Sequence, residues 1–91
     1  MRYRAFADKV RVAGINIPDS GAHIIFVLPM PKSWSKHKKI MMDGRPHQQT
    51  PDIDNIYKAL SDAIFKNDSH VWGVRITKIW GRNGAIIIEQ Q

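Results

Sequence analysis

The sequence predicts an α+β domain built on a small mixed or antiparallel sheet with helices packed on one face. Short β-branched runs closed by proline or glycine stand beside separate stretches whose apolar residues recur at helical spacing. A chain of 91 residues has room for one core, and 43% hydrophobic content is too apolar for a disordered tail. Residues 1–91 therefore read as a single domain.

Each element has its own signal. Tyr3, Phe6, Ala7 and Val10 recur at steps of three and four, which predicts a helix over Met1 to Val12 with Arg2, Arg4, Asp8, Lys9 and Arg11 on its other face. "AHIIFVLPMP", from Ala22, reads as a buried strand because it is short, β-branched and ended by proline. Ser33 or Ser35 caps a short helix running through Met42, and Gly44 ends it. Ile56, Ala59, Leu60, Ala63 and Ile64 form the stripe of a longer helix from about Asn55 to Lys66. Trp72, Val74 and Ile76 then alternate as a strand, "GRNG" makes a turn, and "AIIIEQ" reads as the antiparallel partner.

Composition narrows the function. Fourteen Lys and Arg against eight Asp and Glu give a formal charge of +6, which favours a polyanionic partner over mere solubility. The absence of cysteine excludes both a disulfide framework and a thiolate zinc site. The longest apolar run, Ala22 to Leu28 with His23 inside it, is too short to span a bilayer, so no membrane association is expected. The opening residues lack the apolar region of a secretory signal, and a cytoplasmic location is expected. No phosphate-binding glycine loop is present, so no nucleotide cofactor is expected either.

The positive charge is unevenly spread. Between Met30 and Pro51, Lys32, Lys36, Lys38, Lys39 and Arg45 face a single acid, Asp43. They suit DNA phosphate contact, and a solvated surface is the ordinary alternative. Trp34, among them, is either a platform for an exposed base or, more ordinarily, a core anchor. Arg75 and Lys78, later in the chain, are candidates for phosphate contact or for surface salt bridges. Trp72 and Trp80 read as core or dimer contacts, and His37, His47 and His70 lack close zinc-ligand spacing.

The stretch "TPDIDNIYKALSDA" raises the sharpest question, because Asp52 and Asp54 stand one residue apart where a loop becomes a helix. One aspartate is explained as an N-cap, a device that contributes about 1 kcal/mol. Two would repel each other unless a cation sat between them. Lys58, four residues after Asp54, falls on the same helix face and is one such cation; a metal ion is another. Asp68, in "KNDSH", is either a turn residue or a third carboxylate. Convergent hard oxygens of this kind are what a Mg²⁺ site for phosphodiester hydrolysis requires.

The ordered set "PDIDNIYKALSDA", then "NDSHVWGVRITK" and a closing strand, resembles the RusA-type Holliday-junction resolvases. The match covers most of the chain from Ala22 onward, and the basic "MPKSWSKHKK" and "GRPHQQTPDIDN" segments resemble the family too. The resemblance implies that Asp52, Asp54 and Asp68 bind Mg²⁺ and that Lys58 is a catalytic lysine. It further implies a homodimer that resolves four-way DNA junctions by paired nicks in recombination and repair. Two departures stand out: Asn67-Asp68 where the family often has Asp-Asp, and a start that reads as helix, implying that the usual N-terminal edge strand is missing. The alternative function is a non-catalytic junction-binding or DNA-binding module, which would use the same lysines without the aspartates.

Overall fold

The computed structural model describes residues 2–5, 17–64 and 69–90. Its elements are β1 (Arg2–Ala5), β2 (Ala22–Pro29), α1 (Lys36–Met42), α2 (Ile53–Ile64), β3 (Val74–Gly81) and β4 (Ala85–Gln90). The fold is α+β on one mixed sheet, in the order β1-β4-β2-β3. β2 runs parallel to β3 and antiparallel to β4, and β1 closes the far edge antiparallel to β4.

The N-terminal expectation is corrected. Arg2–Ala5 is a strand, not the start of a helix, and it supplies the edge that the sequence seemed to lack. The segment Arg-Tyr-Arg-Ala alternates as well as it spirals, and the open edge of β4 offers backbone partners that a four-residue helix start cannot. The remainder of the expected helix, residues 6–12, lies outside the described residues.

The expected hairpin between the last two strands is also corrected. β4 pairs with β2 and β1, so β2 lies between β4 and β3. Two facts decide this. Ala85, Ile86, Ile87 and Ile88 are all buried, as a strand covered on both faces requires. The outer edge of β3 is meanwhile occupied: Gly44 N–H donates to Trp80 O at 2.8 Å, Trp80 N–H to Arg45 O at 2.9 Å, and His47 N–H to Lys78 O at 3.0 Å. The segment Gly44–His47 thus forms a strap along β3 that a sequence-local hairpin would displace.

Register sorts the sheet into two faces. Ile24 and Phe26 of β2 with Ile86 and Ile88 of β4 meet Leu60 of α2 in the main core, which Ile56, Tyr57 and Ile76 flank. α2 starts at Ile53 and takes in the expected stripe as far as Ile64; residues 65–68 lie outside the described residues. The opposite face carries a smaller cluster of Val27, Ala85 and Ile87, with Ile25 and Ile79 against it. Gly81 belongs there by necessity, since a Cβ would run into Cγ1 of the stiff, buried Val27.

α1 follows its sequence signals closely. The Ser35 hydroxyl oxygen accepts from Lys38 N–H at 3.1 Å, and Gly44 leaves the helix with φ of +78°, a conformation that favours glycine. The helix itself buries no residue. Its attachment comes from its flanks, through Trp34 before it and the strap after it.

Candidate active site on the first turn of α2

The loop leading to α2 is held by β3. Beyond the strap, Lys78 Nζ donates to the carbonyl oxygens of Gln49 and Pro51, at 2.7 Å each. Three residues after Gln49 and one after Pro51 the chain reaches Asp52, whose own carbonyl accepts the Ile56 N–H at 3.0 Å and so begins the helix. Asp54 lies in the first turn and Lys58 one turn further on.

What the three side chains do not do is informative. Asp52, Asp54 and Lys58 are exposed, and among the described residues none of their charged groups has a hydrogen-bond or ion-pair partner. Asp52 occupies the cap position through its backbone, without a side-chain capping bond, and Lys58 does not pair with Asp54. The ordinary explanation of two aspartates, a cap plus an i, i+4 ion pair, is thus not the one the side chains adopt. Asp54 and Lys58 stand free one turn apart on α2, with Asp52 free just before the helix, and the two carboxylates offer hard oxygens of the kind a divalent cation such as Mg²⁺ takes. Asp68 lies outside the described residues, and among the described ones no three His, Asp or Glu side chains gather as a metal site.

An aromatic cluster fixes the strap. Trp80, buried at the end of β3, lies between Trp34, with ring centroids 4.7 Å apart, and His47, at 4.2 Å. Lys38 Nζ sits 4.3 Å from the centroid of the Trp34 ring. Trp34 is thereby engaged as an anchor by Trp80 and Lys38. Trp72, by contrast, is 80% exposed, which corrects the core half of the core-or-dimer expectation there; its backbone N–H donates to Asp19 O at 2.8 Å.

His47 is buried, and its Nδ1 has no partner among the described residues. Burial, and next the charge of Lys78, push its pKa below the ordinary value near 6.5. The unfolded chain therefore binds a proton more readily than the folded one. This contribution to stability is present in full above the unfolded pKa and is lost as pH falls through the folded value. Thermal melts should show the native chain losing stability more steeply below about pH 6.5 than His47→Phe, which keeps a ring against Trp80. Parallel pH profiles would remove His47 from this account.

The remaining basic candidates separate by position. Lys32, Lys36, Lys38 and Arg45 are exposed, while Lys39 is half-buried. Arg45 Nε donates back to Met41 O at 3.3 Å. Arg75 is exposed and sits three residues from Lys78 in the same strand, so the two point to opposite faces of the sheet. Arg75 shares its face with His23 and Thr77, which hydrogen-bond to each other at 2.8 Å. His70 Nδ1 lies 2.8 Å from Asp19 Oδ1. The double anchorage of Lys78 had no signal in the sequence, because its partners lie 27 and 29 residues away.

No helix among the described residues is long and apolar enough to cross a membrane. No curated protein and no solved structure matches the chain. A family model does, that of endodeoxyribonuclease RusA, over residues 5–90. With nearly its whole length matched by that model, the chain belongs to the RusA endodeoxyribonuclease family.

Proposed function

We propose that the chain is a Mg²⁺-dependent, structure-selective endodeoxyribonuclease that acts as a homodimer and resolves four-way DNA junctions by paired phosphodiester hydrolysis. Family membership supports endonuclease action on Holliday junctions. The observation that carries the finer reading is the free state of Asp52, Asp54 and Lys58 on the first turns of α2. Asp52 and Asp54 would hold the metal, together with Asp68. A bound Mg²⁺ supplies polarisation of the phosphoryl oxygen and a water of lowered pKa. Lys58 sets an ammonium on the same flank, where it offsets negative charge as it grows on the phosphate.

DNA would reach this flank over the basic segment. The strap fastens the C-terminal end of α1 to β3 at Trp80, and the Lys78 anchorage fastens the approach to α2 two residues earlier in the same strand. Lys32, Lys36, Lys38, Lys39 and Arg45 thus lead into the loop that carries the aspartates, and they serve as phosphate contacts. Arg75 would meet DNA only from the other face of the sheet. A two-fold dimer matches the two symmetric nicks that resolution of a four-way junction needs.

The test is cleavage of a synthetic four-way junction with Mg²⁺, and with EDTA as control. Paired nicks that require the metal are the expected result. Tight junction binding with no cleavage at any Mg²⁺ concentration would instead establish a non-catalytic binding module.

A further inference from the structure

We propose that Lys78 is a positioning residue, whose ammonium holds the carbonyls of Gln49 and Pro51 and so fixes the backbone from which Asp52 and Asp54 project. The inference rests on the reading of those two aspartates as metal ligands. Lys78 is the last fixed point before them. Its stem lies on the helix-facing side of β3, opposite Phe26 in the register, and its half-buried position limits the directions its head can take. The two 2.7 Å bonds are charge-assisted and reach alternate residues of one loop, so a single cation ties that loop at two points. The carbonyl of the same lysine accepts the His47 N–H at 3.0 Å, so both ends of the segment from His47 to Pro51 are fastened to one residue.

The consequence for a metal site is geometric. Two carboxylates at the mouth of a helix bind a small, strictly octahedral cation well only if their backbone is held in place beforehand. Outer groups that orient metal ligands typically change affinity by about 10–100-fold when removed. With two of its three N–H donors on carbonyls, Lys78 is also poorly placed to act mainly as a free phosphate contact, the role its charge alone suggests.

The experiment compares the native chain with Lys78→Met, which keeps the stem and removes the charge. The first readout is exchange of the Ile56 amide in metal-free protein, since that amide bonds to the Asp52 carbonyl. The second is the Mg²⁺ concentration that half-saturates cleavage, and the third is the salt dependence of junction binding in EDTA. Loss of the clamp should speed Ile56 exchange, raise the half-saturating Mg²⁺ by about 10-fold and leave the salt slope unchanged. Unchanged Ile56 exchange overturns the proposal. So does a salt slope reduced by about 0.9 with Mg²⁺ dependence intact, the mark of one lost phosphate contact. If Lys78→Met does not fold, Lys78→Gln carries the same comparison with a polar head. If the native chain neither cleaves nor needs Mg²⁺, the nuclease reading fails by itself, and Ile56 exchange still decides the clamp.

Discussion

Asp54→Asn is expected to lower junction cleavage by about 10³-fold or more while leaving the melting temperature and junction binding essentially native. The size follows from what the carboxylate is asked to do. A metal that polarises a phosphoryl oxygen and activates water contributes several kcal/mol to the transition state, and each 1.36 kcal/mol is about tenfold in rate. Asparagine keeps the shape but gives up the anionic oxygen that a hard cation prefers. The substitution also isolates catalysis from folding, because the Asp54 carboxylate has no partner to lose among the described residues and the helix begins through the Asp52 backbone carbonyl. Asp52→Asn should behave alike, with the added control that asparagine is as good an N-cap as aspartate. Binding measured in EDTA should hold or tighten slightly, since a negative charge near phosphate has been removed. Cleavage within tenfold of native in either variant would show that the carboxylate is not a ligand, and the pair would then have no account beyond the start of the helix.

The parts of this molecule that sequence reveals are those set by local rules. Ser35 and Gly44 bound α1 because a hydroxyl oxygen and a residue free to take positive φ satisfy groups within a few residues of themselves. The stripe of Ile56 and Leu60 finds the core for the same reason. Sheet order is a different problem. Residues 74–81 and 85–90 are separated by three residues, yet β2 stands between them, because the edge of β3 is claimed by a strap from elsewhere in the chain. At the N-terminus, a four-residue segment compatible with either period took the one for which a partner strand was waiting. The site follows the same division. The placement of Asp54 and Lys58 one turn apart on α2, with Asp52 just before it, was legible from spacing. The grip of Lys78 on Gln49 and Pro51 was not, since nothing in a lysine's neighbours along the chain tells whether its head meets solvent, phosphate or a distant carbonyl.

Trp80→Ala should be the most damaging substitution for stability, with an expected loss of about 3–5 kcal/mol. The indole is buried at 5% exposure, and it touches two rings contributed by separate segments of the chain. Trp34 anchors the approach to α1, a helix that buries no residue of its own, and His47 anchors the strap. Neither neighbour can easily move in to fill the gap, as the backbone of Trp80 is bonded on both sides to Gly44 and Arg45. For a domain of this size each kcal/mol is worth roughly 4–8 °C in melting temperature, so a fall of about 12 °C or more is expected by circular dichroism. Trp72→Ala gives the contrast. At 80% exposure that ring has little burial to lose, and its variant should stay within about 0.5 kcal/mol of native. Since total stability is only about 5–15 kcal/mol, Trp80→Ala brings the fold close to its limit. Where the variant still folds, cleavage should fall further than the folded fraction explains, because the same indole holds the strap that leads to Asp52. Cleavage that merely tracks the folded fraction would separate the aromatic cluster from the site and leave the loop's position to the backbone bonds of the strap and the Lys78 anchorage.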